Sequence, residues 1–260
     1  MHGRETDQVK AIGTTLEILE ILRDANGARV TEVAEELGVS KSTVHDHLAT
    51  LQARGFVERD GNRYVVGLRW LRFGGHARDD LELFQHGQIP TTNLARETEE
   101  LAVCSAFHAN NSVPIYQARG SKAVTTDSHS GLELPIHATA TGKAMLAALS
   151  PETFEDVLAE IELDRHAKNT IVDEDALRED VQRTRERGFS LDDEERIDGM
   201  RGIGAAITHE GSGEVLGALA MTGPTHRVRG DRFREEYPQL VSNLAREVEI
   251  NVTHQRAQHD

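Results

Sequence analysis

The order of elements written into residues 15–66 constrains this chain more than any other feature. Leu16, Ile18, Leu19, Ile21 and Leu22 form an apolar stripe at helical spacing within residues 15–25, ended by the turn-prone pair Asn26-Gly27. Thr31 is placed to cap a second short helix through Leu37, with acids in its first turn where a helix N-terminus favours them, and Gly38 stops it. Ser40 restarts a third helix, in which Val44, Leu48 and Leu51 fall at i, i+4 and i+7, and Gly55 closes it. Residues 56–66 then read as two β-prone arms around an Asp60-Gly61 turn. Helix, helix, tight turn, helix, hairpin is the order of a winged helix-turn-helix. Its core is expected from Val33, Ala34, Leu37, Val39, Val44, Leu48 and Leu51, with the turn at Gly38 pushing the start of the third helix outward. A subdomain that merely packs or dimerises fits less well, because short polar residues crowd the start of that helix.

In such a motif the leading turn of the third helix enters the major groove. Ser40, Ser42 and Thr43 can donate to phosphates or bases without blocking close approach, Lys41 adds charge, and His45 and His47 can reach bases or backbone. Arg59 and Arg63 flank the hairpin tip and should meet the minor groove or neighbouring phosphates, while Asp46 either faces away or pairs with a base. As metal ligands His45 and His47 are unsuited, since positions i and i+2 diverge and no third ligand is near; no metal site is expected.

The net charge of −15 argues at first against nucleic acid, but it is unevenly spread. Residues 1–75 hold ten Lys and Arg against eleven acids, the remainder nineteen against thirty-three, and residues 40–72 six against three. One cationic strip on an acidic body is compatible with DNA, because phosphates respond to the local field. Five Lys beside 24 Arg, with such acidity, suggests adaptation to high salt, as in a halophile.

A chain of 260 residues makes one large domain or two modest ones. With Cys104 alone, an internal disulfide is impossible. No apolar run approaches membrane-spanning length and no secretory leader is visible, so a cytoplasmic protein without membrane contact is expected. Residues 68–84 form an amphipathic stretch with the sole Trp, Trp70, and Gly74 and Gly75 as a possible hinge; a further helix is expected at 91–101. Beyond it, strands are expected at 103–108, 113–119, 123–127, 203–207 and 216–221, and helices at 141–149, 152–160, 174–187 and 239–255. Together these read as an α+β sensor domain.

Two blocks outside the N-terminal unit carry a resemblance: Leu134-Pro135-Ile136-His137-Ala138-Thr139-Ala140-Thr141-Gly142-Lys143-Ala144, and Arg187-Gly188-Phe189 through Asp192-Asp193-Glu194-Glu195 to Gly202-Ile203, followed by Met221-Thr222-Gly223-Pro224. With the helix-turn-helix they resemble the isocitrate-lyase-regulator (IclR) family of transcription factors, over nearly the whole chain. The resemblance implies a winged helix-turn-helix DNA-binding domain at 8–69, a linker helix at 70–85 and a GAF-like α/β effector-binding domain at 86–256. It also implies homodimers or dimers of dimers on palindromic sites in double-stranded DNA, a small-molecule effector, repression or activation, and no cofactor.

By the same resemblance the effector pocket maps onto Ala140, Thr141, Asp192, Gly202, Ala220 and Thr222. Members that respond to small keto acids resemble one another in carrying Cys where Gly202 stands and Ser at the Ala220 and Thr222 positions. A larger or less polar effector is therefore expected, with Asp192 accepting from a hydroxyl or amide. The residues themselves add that Ala140-Thr141-Gly142 opens a helix whose free amides could seat an anion, or could simply start a closely packed helix. The run Asp192-Asp193-Glu194-Glu195 is expected to be mostly solvated. A metabolite-processing enzyme using His137 and Asp192, with the N-terminal unit as an interaction module, is the alternative. No nucleophile elbow, metalloprotease helix or phosphate-binding loop supports it, so no catalytic residue is expected.

Overall fold

In a computed structural model the chain is described over residues 9–257; residue 8, where the DNA-binding domain was expected to begin, lies outside them. The chain divides into two compact units, one reaching to Ala77 and the other beginning at Arg78. Among the described residues no helix is long and apolar enough to cross a membrane.

The first unit is built from α1 (Lys10–Asp24), α2 (Val30–Leu37), α3 (Lys41–Ala53), β1 (Val57–Asp60) and β2 (Arg63–Val66). One face of each helix closes on a shared core of Ile18, Leu22, Val33, Val44, Leu48, Leu51, Val57 and Tyr64. Each large aliphatic side chain withdrawn there contributes about 1.5–3 kcal/mol. Gly38 ends α2 in the left-handed region, at φ +66, which sets the turn into α3 at little steric cost. Ser40 caps α3 by accepting from the Thr43 amide at 3.1 Å.

Two local details differ from expectation. The cap of α2 is Arg29, whose amide donates to Glu32 Oε2 at 2.7 Å, so Thr31 lies inside the helix. The hairpin pairs Asp60 with Arg63, placing Gly61-Asn62 at the centre of the turn. With φ +60 at Gly61, this fits a turn that needs glycine at its first central position, one residue beyond the expected Asp60-Gly61 pair.

α4 (Trp70–Asp79) follows the hairpin, anchored by Trp70, whose Nε1 donates to the Phe56 carbonyl at 3.0 Å and whose ring lies 4.7 Å from that of Phe56. Gly74 and Gly75 lie within this helix rather than at a hinge. The helix expected over 70–85 stops at Asp79, and α5 (Glu82–Thr98) absorbs both its end and the helix expected at 91–101. α5 runs through Pro90 because its apolar face is continuous: Leu83, Phe84 and Leu94 are all buried, and Thr91 Oγ1 donates to the Gly87 carbonyl at 2.6 Å.

The second unit continues with β3 (Leu101–His108), β4 (Asn111–Arg119), β5 (Leu134–Pro135), α6 (Ala140–Ala148), α7 (Pro151–Glu160) and α8 (Glu174–Arg187). β6 (Ser190–Asp193), β7 (Met200–Thr208), β8 (Val215–Pro224), one π-helical turn (Arg232–Glu236) and α9 (Tyr237–Arg256) complete it. The strands form one sheet in the order β5-β4-β3-β8-β7-β6, antiparallel throughout. Alternation along each strand sends Ala102, Cys104, Ile203, Ala205, Leu219 and Met221 into a core with α5 and α9. The opposite face carries α6, with α8 behind it. Residues 123–127, expected as a strand, are loop: Ala123 and Val124 alone cannot bury a strand face, and the edge of β4 is taken by β5 through Ser112–Leu134 and Asn111–Pro135. The strand at 190–193 was not anticipated.

Candidate functional site

The leading turn of α3 is open to solvent. Lys41, Ser42 and His45 are exposed, while Val44, Leu48 and Leu51 seal the opposite face. Ser40 and Thr43 are already engaged with each other, Oγ to Oγ1 at 2.8 Å, so their hydroxyls shape the helix start as well as facing outward. His47 is half-buried and its Nδ1 meets Thr15 Oγ1 at 2.8 Å, a contact that ties α3 to α1 through one ring nitrogen. His45 and Asp46 stand beside each other at 3.7 Å, both exposed. In the hairpin, Arg59 Nε donates to the Gly61 carbonyl at 3.0 Å, and Arg63 Nη2 donates to the Gly27 carbonyl in the α1–α2 turn. Arg63 thus braces the hairpin against the helices, whereas Arg59 stays at the tip.

In the second unit, strand register assembles a pocket. Asp192 pairs with Gly202, Gly202 with Thr222 and Thr222 with Leu101, so one row crosses four strands. The next row runs Ser190, Gly204, Ala220, Val103. α6 starts directly over these rows. A Cβ at Gly204 would lie 2.5 Å from the Ala140 carbonyl oxygen, so only glycine lets the helix settle this close, and Ser190 Oγ donates to that same oxygen. A Cβ at Gly202 would lie 3.0 Å from Ala140 Cβ and 3.3 Å from Thr222 Oγ1; its absence leaves room above the sheet.

The resulting cavity is lined by Ala140, Thr141, Asp192, Ala220 and Thr222, with Leu101, Val103, Leu134 and Met200 as apolar walls. Gly202 bounds it from below, but Gly142 does not line it. A Cβ at Gly142 would lie 2.1 Å from the Ile136 carbonyl oxygen, and its amide donates to Thr139 Oγ1 at 3.0 Å. Gly142 therefore serves close packing and capping, and the amides without intrahelical partners are those of Ala140 and Thr141. Thr141 Oγ1 meets Ser112 Oγ at 2.7 Å in the interior.

Sequence reasoning missed Arg196, Ile197 and the loop residues Thr126, Asp127 and Ser128, which also line the cavity. Arg196 follows the acidic run directly, but nothing local marks which way it turns. The run itself departs from expectation, since half of it is buried. Asp192 accepts at Oδ1 from the amides of Glu195 (2.8 Å) and Arg196 (3.3 Å), and burial pushes its carboxyl up to about 7. Glu195 is buried against Lys143, at 2.6 Å, and the fully buried Lys143 also reaches Asp180 at 2.9 Å. Burial raises the Glu195 carboxyl too. The other two acids are paired: Asp193 with Arg201 at 2.6 Å and Glu194 with Lys168 at 2.7 Å.

His137 and Asp192 are not brought together. His137 lies in a separate pocket with Asp164 and His166, its Nε2 3.0 Å from the Asp164 carbonyl, and burial lowers its basicity. Cys104 is fully buried under α5 and burial pushes its thiol up to about 12, so it behaves as a small apolar side chain.

Comparison with known proteins accounts for both units. Residues 12–61 match the model of the IclR helix-turn-helix domain, and residues 75–250 that of the bacterial transcriptional regulator IclR C-terminal domain. The protein named "Probable HTH-type transcriptional regulator ArcR" from Halobacterium salinarum is 31% identical, over 96% of this chain and 97% of its own. The transcriptional repressor IclR of Escherichia coli is 31% identical, over 94% and 90%. The crystal structure of an IclR homologue complexed with 4-hydroxybenzoate, from Microbacterium hydrocarbonoxydans, superimposes with a TM-score of 0.76 at 20% identity, covering 93% of this chain and 98% of that one. Every one of the relatives compared is named as a transcriptional regulator or repressor, which with the separation of His137 from Asp192 leaves the enzyme alternative without support.

Proposed function

The chain belongs to the IclR family of transcriptional regulators, with a DNA-binding helix-turn-helix and an effector-binding C-terminal domain, and from that premise we propose which residues do the work. Lys41, Ser42 and His45 meet DNA directly from the leading turn of α3, with Ser40 and Thr43 shaping that turn and reaching phosphates. Arg59 extends the contact from the hairpin tip. His47 and Arg63 act by holding α3 and the hairpin in place. Phosphate contacts position and base contacts specify, so these groups should separate on mutation.

The effector occupies the cavity over Asp192, Gly202, Ala220 and Thr222, beneath the Ala140-Thr141 start of α6. An effector with an apolar body, of the kind of the Microbacterium relative's 4-hydroxybenzoate, suits these apolar walls and the small side chains at Gly202 and Ala220 better than a two- or three-carbon keto acid does. The working assembly is a homodimer or a dimer of dimers on a palindromic operator, in the cytoplasm, with the DNA-binding domain at 8–69, the linker at 70–85 and the effector domain at 86–256. Effector and operator communicate because the effector binds one arrangement of the assembly more tightly than another; tight binding alone would shift nothing.

The observation that carries this proposal is the exposed, small-residue leading edge of α3 on a sealed apolar core. A mobility-shift assay on the DNA flanking the chain's own coding region tests it. Lys41→Ala/Ser42→Ala, folded by circular dichroism, is expected to lose operator binding by at least about tenfold. Undiminished binding would overturn the assignment.

A further inference from the structure

Arg196 is built into the cavity in a way that neither the stacking of the sheet nor the packing of α6 requires. Its side chain lines the cavity, and its Nε is buried without a hydrogen-bond partner. A single nitrogen of the fork, Nη2, is committed, donating to Asp127 Oδ2 at 2.6 Å. Asp127 sits on the loop with Thr126 and Ser128, which lines the same cavity, and this loop is otherwise fixed by Gln117 Nε2 donating to Ser128 Oγ at 2.6 Å. Asp127 is more than half exposed, whereas Arg196 is one-fifth exposed. The pair therefore joins a surface carboxylate to an inward guanidinium with donor capacity to spare. A guanidinium offers two parallel donors to a carboxylate, and here one side of that fork faces no acceptor.

We propose that Arg196 is the anion-recognising residue of the effector pocket, taking a carboxylate of the effector in place of that of Asp127. The proposal rests on the assignment of this cavity to the effector and deepens it by naming the ligand class: a monocarboxylate with an apolar body. The walls formed by Leu101, Val103, Leu134, Ile197 and Met200 take the body. A hydroxyl on it would meet Asp192, whose Oδ1 is already held by two backbone amides, at Oδ2. The charged side chains lining the cavity are Asp127, Asp192 and Arg196. Because burial keeps Asp192 largely protonated below about 7, it opposes an incoming carboxylate less than an ordinary aspartate would.

Isothermal titration of the full chain with matched acids and amides decides the matter: lactate with lactamide, benzoate with benzamide, 4-hydroxybenzoate with 4-hydroxybenzamide. At least one acid is expected to bind about tenfold to a hundredfold more tightly than its amide, and Arg196→Gln should remove that advantage. Arg196→Lys should restore part of it, and Asp127→Asn should tighten the acid by removing its internal competitor, a gain that a purely structural ion pair would not give. Equal affinity for acid and amide, an acid indifferent to Arg196→Gln, or no acid binding at all overturns the proposal. Gly202→Val separates this from the cavity assignment. Where acid and amide bind alike or the acid ignores Arg196→Gln, loss of that binding in Gly202→Val leaves the cavity standing and Arg196 alone falls; if binding survives a filled cavity, both fall.

Discussion

Asp192 and Lys143 concentrate the unusual electrostatics of this protein. One ammonium without solvent contact serves two carboxylates, Glu195 and Asp180, and Asp192 lies against Glu195 with its charge opposed by burial. The folded chain holds the Asp192 proton to about 7, whereas the unfolded chain releases it near the ordinary value of 3.8. This group's contribution to stability is therefore complete below about 3.8 and drains away as pH rises to about 7. Asp192→Asn carries no such dependence, and its amide oxygen still accepts from the two backbone amides. Thermal melts of the two proteins across pH should show the Asn variant gaining on the wild type between pH 4 and 7, by about 2 °C or more, then levelling. A difference constant with pH would contradict the burial of an ionisable carboxyl at this point. From sequence, four consecutive acids on an acidic chain look solvated; the sheet pairing of Asp192 with Gly202 turns half of them inward, and no local pattern reports that.

At the scale of elements, the third helix shows how neighbouring serines divide their labour. Ser40 satisfies an amide that the helix leaves without a partner, while Ser42 is exposed one turn-step on. Ser40→Ala should cost about 1 kcal/mol of the first unit's stability, and Ser42→Ala within about 0.5 kcal/mol of none. Urea melts followed by the fluorescence of Trp70 measure this, since the sole tryptophan packs on Phe56 within that unit. Equal losses at both serines would mean that the cap is not where the geometry puts it. The helices and hairpin of this unit were legible because capping, glycine stops and 3.6-residue periodicity act within a few residues. The break between α4 and α5, and the passage of α5 through Pro90, were not, since the buried face that overrides the proline is set by the sheet beneath it.

For the whole molecule, charge is the governing quantity. The chain carries −15, with most of the excess acid beyond residue 75. Self-repulsion of this kind opposes the compact state and weakens as electrolyte shortens the screening length, from about 10 Å at 0.1 M to a few ångströms above 1 M. The melting temperature should therefore climb, by on the order of 5 °C, as KCl is raised from about 0.1 M to about 2 M. Scanning calorimetry at matched pH measures it, and a flat or falling trend would remove the case for adaptation to high salt.

The sequence by itself determined the first unit almost entirely, along with the membership of both units in one family. It also supplied Asp192, Gly202, Ala220 and Thr222 by likeness, without saying how they meet. Tertiary structure alone decided that they form one floor with Leu101 and Val103, that Gly142 belongs to packing, and that Arg196 and Asp127 guard the same space. The physical reason is range. A helix cap or a two-residue turn is settled by neighbours along the chain, whereas a row across β6, β7, β8 and β3 exists only once distant strands have found their register, and a one-residue slip in any of them would send its side chains to the other face.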